Sequence, residues 1–144
     1  MQFIPYLSFQ GECYQAFTTY AEIFGGQTQL MRFSDMPGTD AMPEMPADQT
    51  GWIMHGQVDL PDGAVLMGAD MPPQFGGQKM AGASVAATLP SPAEVNRVFA
   101  ALSPDGKVTM DVGPTFFSPA FGMLTDRFGT SWMLMAPPAD PPNA

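Results

Sequence analysis

Charge is scarce in this 144-residue chain: 13% of residues are charged, and five basic residues stand against 14 acidic ones, a formal net charge of −9. So few cations cannot track a phosphate backbone, which excludes nucleic-acid binding as a function class. An anionic membrane surface is disfavoured on the same ground. Cysteine occurs once, as Cys13. That excludes an internal disulfide and any cysteine-built zinc cluster, and it suits a reducing cytoplasm. No apolar run approaches the roughly 20 residues of a membrane span. The opening MQFIPYLSFQ has no basic stretch followed by an uninterrupted apolar one, so no signal peptide is expected. These absences describe a soluble, cytoplasmic, acidic protein.

What is present is apolar and methionine-rich. Hydrophobic residues make up 45% and Met occurs 13 times, enough to build one core in one domain over 1–144. Methionine fills irregular apolar gaps and lines adaptable pockets. Residues 3–9, FIPYLSF, read as a strand whose Pro5 places it at an edge or a strand start. Over 12–24 the apolar positions Cys13, Ala16, Phe17, Tyr20, Ile23 and Phe24 recur at three and four, an amphipathic helix that Gly25-Gly26 ends. TQLMRF should follow as a strand. Residues 34–51, with three prolines and no periodicity, form a long loop of the kind that carries lids or mobile segments. WIMHGQVDL alternates, with Met54, Val58 and Leu60 on one face and His55, Gln57 and Asp59 on the other. The turn Pro61-Asp62-Gly63 returns it through AVLMGADM as a hairpin. PPQFGGQK then reads as a hinge.

The second half repeats the plan. GASVAATL is a strand, and Ser91-Pro92-Ala93-Glu94 starts a helix with Ser at the N-cap, Pro at N1 and Glu at N3. That helix carries Val95, Val98, Phe99 and Leu102 on one side. KVTMDV, TFFSPAFGML and SWMLMA supply three further strands. Strand–helix–strand–strand–strand thus occurs twice, over 1–72 and 80–136, and each half ends in an Asp-turn-Gly entering an apolar strand: PDGAVLM and DRFGTSWML. The tail over 137–144, rich in proline, should be disordered. Neither half buries a sheet alone, so the two are expected to share a core.

Three segments carry a family resemblance. YLSFQGECYQAFTTYAEIFGG, MHGQVDL…GAVLMGADMP and TFFSPAFGMLTDRFGTSWML together resemble the PhnB-like branch of the vicinal-oxygen-chelate (glyoxalase/bleomycin-resistance/dioxygenase) superfamily, in order and over nearly the whole chain. Members are often labelled as demethylubiquinone-methyltransferase-like, yet no Gly-rich loop or βαβ unit for S-adenosylmethionine is visible in this sequence. The resemblance implies an α+β fold of two βαβββ modules, each a partly closed, barrel-like sheet around a cavity, completed in a homodimer. In metal-dependent relatives, four inward side chains from the first and last strands of each half hold a divalent ion that acts as Lewis acid and template. Carried onto this sequence, those positions fall on Ile4 or Tyr6, on or near Met67, on Ser84 and on Met133. None offers the His, Glu or Asp that a divalent ion wants. The resemblance therefore implies no metal and no cofactor here, and a mostly apolar pocket lined by Tyr6, His55, Met67, Ser84 and Met133.

Other residues read two ways. His55, mid-strand beside Gln57 and Asp59, is either a general base or hydrogen-bond donor lining the pocket, or a half-exposed histidine with no role. Trp52 and Trp132 read as core anchors, and Phe116 and Phe117 as core plus subunit contact. Cys13 reads as an inert buried thiol. Asp126 reads as a turn residue that accepts its own loop's amides, with Gly129 at positive φ and Arg127 pointing the other way.

Three functions remain open. The first is a metal-independent small-molecule-binding protein of this superfamily, its ligand unidentified. The second is an enzyme (lyase, isomerase or dioxygenase-like) with a relocated site around His55, helped by Gln57, Asp59 or Asp70. The third is a structural or regulatory dimer with a closed cavity.

Overall fold

The computed structural model describes residues 1–36 and 45–139. The chain divides into two compact units, Met1–Met80 and Ala81–Ala144. The first contains β1 (Tyr6–Phe9), α1 (Cys13–Phe24), β2 (Gln27–Arg32), β3 (Ile53–Asp59) and β4 (Val65–Asp70), with the sheet ordered β1-β4-β3-β2. The second repeats it with β5 (Val85–Thr88), α2 (Pro92–Leu102), β6 (Lys107–Gly113), β7 (Phe121–Thr125) and β8 (Ser131–Met135), ordered β5-β8-β7-β6. In each sheet the first and last strands pair in parallel and the other neighbours are antiparallel. This is the α+β arrangement of two βαβββ modules that the element order predicts.

In the first unit α1 buries Cys13, Ala16, Phe17, Tyr20 and Ala21, the face that the three-and-four spacing marks out. It ends where Gly25 turns left-handed at φ 73° and donates its N–H to the Ala21 carbonyl. Phe17 is the centre of this packing. It is fully buried and meets Phe9 edge-on at 5.8 Å between ring centroids. The paired Gly56 and Gly68 of β3 and β4 make room for it. A Cβ at Gly68 would stand 2.7 Å from the Leu7 carbonyl oxygen and 2.8 Å from Phe17 Cζ.

Glu12 stands at the N-cap of α1 without a side-chain cap bond. The acceptor comes instead from the sheet. Asp70, at the end of β4 and only 1% exposed, accepts from the amides of Gly11 and Cys13 through Oδ1 at 2.8 and 3.0 Å, and from Ile53 N through Oδ2 at 2.8 Å. One carboxylate thus joins β4, the start of α1 and the start of β3, and places negative charge at a helix N-terminus.

In the second unit Ser91 caps α2 by accepting from Glu94 N at 3.2 Å, with Pro92 at the first turn. Val95, Val98 and Leu102 are buried on the helix, and Leu124, Trp132 and Leu134 on the sheet. Asp126 accepts from the amides of Phe128 and Thr130 at 2.9 and 3.1 Å, and Gly129 has φ 94°. Its second oxygen accepts from Trp132 Nε1 at 2.8 Å. The Asp-turn-Gly is therefore the turn that its residues predict, with an added function: it satisfies the one polar atom of the buried indole. Arg127 lies over the Phe128 ring at 4.5 Å.

Several expected elements differ. β1 begins at Tyr6 and β5 at Val85, later than the apolar runs do, so Ser84 precedes its strand. The segment 115–120, expected as part of a strand, forms a turn. Ser118 Oγ donates to the carbonyls of Ala120 and Ala136, and Thr115 and Ser118 bond each other's backbone. Pro119 cannot supply a ladder amide, and the strand starts only at Phe121. Phe116 and Phe117 are accordingly not core: Phe116 is fully exposed and Phe117 is 41% exposed, stacked edge-on against buried Phe121. Trp52 is half-buried rather than central. The facing of β3 also departs at its start. The register shifts between Met31 and Arg32, which pair with His55 and Ile53, so Ile53 rather than Met54 becomes the buried residue. The described ends of the long loop carry 3-10 turns at Phe33–Asp35 and Ala47–Gln49. Its residues 37–44, and 140–144 of the expected disordered tail, lie outside the described residues.

Candidate functional site

In the first unit α1 packs on one face of the sheet and leaves the other face open. Alternation along the strands sends Leu7 and Phe9 toward the helix, and Tyr6 and Ser8 to the open face. Register carries this across the sheet. Tyr6 lies opposite Met67, Met67 opposite Gln57, and Gln57 opposite Gln29. The neighbouring row holds His55 opposite Met31. The structure thus brings three of the sequence-selected residues, Tyr6, His55 and Met67, onto one face.

Tyr6 and His55 touch. Tyr6 Oη lies 3.0 Å from His55 Nδ1 and the ring centroids are 5.7 Å apart. Burial pushes the Tyr6 phenol above its ordinary value, so its proton stays on oxygen through the neutral range. Beside them Gln57 donates from Nε2 to Asp59 Oδ1 at 2.6 Å, and Gln29 donates from Nε2 to Asp59 Oδ2. The polar groups of this face therefore form two connected sets, a phenol–imidazole pair and a carboxamide–carboxylate–carboxamide bridge.

Two residues weighed from sequence lie elsewhere. Asp70, considered as a polar partner of His55, is buried under α1 and holds three backbone amides. Cys13 is fully buried, and desolvation, helped by the Asp70 and Glu12 charges, pushes its thiol far above the ordinary range. It is a packing residue with almost no thiolate at neutral pH. Gln29 and Met31 were not selected from sequence, although the period of two in QTQLMR puts both on the face of His55 and Gln57 once the pairing is known.

The open face of the second unit is different in kind. Trp132 and Leu134 are buried under α2, which turns Ser131, Met133 and Met135 the other way. Met133 is flanked by Ala86 and Met123, and Met123 by Met110. Three thioethers therefore stand side by side across β6, β7 and β8. Ser84, exposed just before β5, lies near the edge of this sheet.

The metal-ligand positions of the superfamily can now be tested as donors. As the resemblance implies them, they would supply the side chain of Ile4 or the phenol of Tyr6, the thioethers of Met67 and Met133 and the hydroxyl of Ser84. Among the described residues no three of His, Cys, Asp and Glu come together as a metal site. These neutral groups leave the charge of a hard or borderline divalent ion uncompensated. The residues do not fit that ion.

Protein PA1353 from Pseudomonas aeruginosa has 37% sequence identity and a TM-score of 0.83, covering 95% of this chain and 98% of that one. A PhnB protein from Bacillus cereus has 25% identity and a TM-score of 0.71, covering 94% and 99%. A glyoxylase/bleomycin resistance protein/dioxygenase domain from Frankia shares the fold at 12% identity and a TM-score of 0.63, covering 98% and 94%. The family model described as 3-demethylubiquinone-9 3-methyltransferase matches residues 1–135. The chain belongs to that family; it is similar in sequence and fold to the PhnB protein and shares the fold, and that alone, with the glyoxylase/bleomycin resistance protein/dioxygenase domain.

Proposed function

We propose that this protein binds a small molecule without the divalent ion of its superfamily, and that the open sheet face carrying Tyr6, His55 and Met67 is where the ligand rests. One observation carries the reading. Tyr6 and Met67, at positions that the resemblance implies for ion ligands, stand side by side in register, and Tyr6 is already hydrogen-bonded to His55. An apolar floor with a few convergent polar groups is how small-molecule sites are generally built. Ser84 and Met133 belong to the proposal as the corresponding residues of the second unit. The methyl transfer in the family's description forms no part of it.

Elemental analysis tests the reading. After incubation with excess zinc, nickel or manganese and desalting, the protein should retain less than about one-tenth of an equivalent, since thioethers and hydroxyls do not compete with water for such ions. A stoichiometric divalent ion lost on replacing Tyr6 or Met133 would sink it.

We propose further that the protein works as a cytoplasmic homodimer. The support is the family together with the fully exposed Phe116 and the stacked Phe117, aromatic anchors of the type that interfaces bury. Light scattering should give twice the mass of the chain, and Phe116→Ser should move it toward one. A wild-type monomer at micromolar concentration counts against the assembly but not against the ligand site.

A further inference from the structure

We infer that Tyr6 fixes the proton of His55 on Nε2, and that the open face of the first unit thereby receives an uncharged ligand: its carbonyl oxygen accepts from that Nε2–H, and its own hydroxyl or amide hydrogens reach the carboxamide oxygens of Gln57 and Gln29. This deepens the binding role proposed above and rests on it.

The tautomer follows from the partners. A neutral imidazole has one nitrogen that donates and one that accepts, and the hydrogen bond at one nitrogen decides the other. A phenol is a better donor than acceptor, and an imidazole lone pair is a better acceptor than a phenol oxygen. At 3.0 Å the Tyr6 O–H therefore donates to Nδ1. The hydrogen goes to Nε2, the nitrogen that Tyr6 does not hold.

The carboxamides are oriented by the same reasoning. An ionised carboxylate only accepts, so both side chains that meet Asp59 must present nitrogen to it, as Gln57 and Gln29 do. Their oxygens turn away from Asp59 and become acceptors on the face. His55 and Gln57 are two residues apart on one strand, about 6.7 Å, and Gln29 lies directly across from Gln57, about 5 Å between Cβ atoms. One donor and two acceptors thus fit within the span of a single small molecule. Met67 lies between Tyr6 and Gln57 in the row, and Met31 lies beside His55, so the ground between the polar groups is thioether.

Charge decides the class. The basic residues of the first unit are Arg32 and Lys79. Arg32 stacks over the ring of Tyr14 on α1 at 4.9 Å, away from this face, and Lys79 lies beyond the end of β4. An anionic ligand would meet the Asp59 carboxylate on this face, a repulsive element that selects against carboxylates and phosphates. The matching ligand is neutral, with a carbonyl beside hydroxyl or amide hydrogens.

His55 is the chain's one histidine, so nitrogen-15 labelling of histidine in the full chain reports a single ring. The neutral ring should show its hydrogen on Nε2 and a hydrogen-bonded, bare Nδ1. Tyr6→Phe, a change at a half-exposed side chain, should abolish the Nδ1 hydrogen-bond shift and admit the Nδ1–H form. Salicylamide and salicylate differ chiefly in charge and serve as the probe pair. Salicylamide should move the Nε2 signal and bind at least tenfold more tightly than salicylate, and Tyr6→Phe should weaken it roughly tenfold, the loss of one oriented hydrogen bond. A ring with its hydrogen mainly on Nδ1 overturns the positioning role of Tyr6. Salicylate binding as well as salicylamide, or neither compound moving the ring signals, overturns the ligand class. None of these readouts depends on the elemental analysis, whose failure would remove the metal-free binding role instead.

Discussion

Replacing Asp70 with alanine should lower the unfolding free energy by about 4 kcal/mol, measured by urea denaturation, because three backbone amides lose a charged acceptor at once. Gly11, Cys13 and Ile53 all donate to this carboxylate. Cys13 and Ile53 are fully buried, so water cannot replace what alanine removes. Asparagine should recover only part of the loss. It keeps one oxygen, but its NH2 group would face an amide N–H wherever the second carboxylate oxygen now accepts. A loss below about 1 kcal/mol for alanine would show that the helix start and β3 are held by packing alone. The consequence reaches the candidate site. Asp70 ends the strand that carries Met67 and ties down the start of the strand that carries His55. A loosened register between β3 and β4 would separate these two side chains before the unit unfolded.

The second large effect is at Phe17. Truncation to alanine should destabilise by about 4 kcal/mol, the usual range for deleting a buried aromatic ring and leaving its cavity. Phe17 is fully buried against the Gly56–Gly68 pair, with Phe9 on its edge. The complementary change is Gly68→Ala. Its Cβ would stand 2.7 Å from a backbone oxygen, which a rotamer change cannot relieve, and it should cost about 2 kcal/mol through overpacking. Combining the two should not restore stability, because the clash is with the Leu7 carbonyl as well as with the ring. Thermal unfolding of both single variants and the double separates the terms. A double variant as stable as Phe17→Ala alone would mean that the ring, not the backbone, sets the spacing of α1 from the sheet.

How far the sequence leads can be judged element by element. The helix at α1 and its stop at Gly25, the capped start of α2 at Ser91 and the turn at Asp126 and Gly129 were all legible, because each rests on contacts within a few residues. The duplicated strand–helix–strand–strand–strand order was legible for the same reason. Segment 115–120 was misread because its aromatic residues have strand propensity, while Ser118 finds acceptors in two carbonyls, one of them 18 residues away. Propensity cannot register a bond of that range. The alternation of β3 was read correctly for His55, Gln57 and Asp59 but not at its start, where the bulge that swaps Ile53 for Met54 depends on the partner strand.

The candidate site divides the same way. Tyr6, His55 and Met67 were each selected along the chain, but not as neighbours, because 49 residues separate Tyr6 from His55. Only the parallel pairing of β1 with β4 and the antiparallel pairing of β4 with β3 set them on one face. Asp70 shows the reverse case. In sequence it was one more carboxylate near a histidine, and tertiary structure turned it into the buried joint beneath the helix. The sequence by itself determined the element order, the local caps and turns and the family, since all of these depend on residue type and short spacing. Which face each side chain occupies, and which polar groups meet there, was decided by strand register, a long-range pairing that no local pattern encodes.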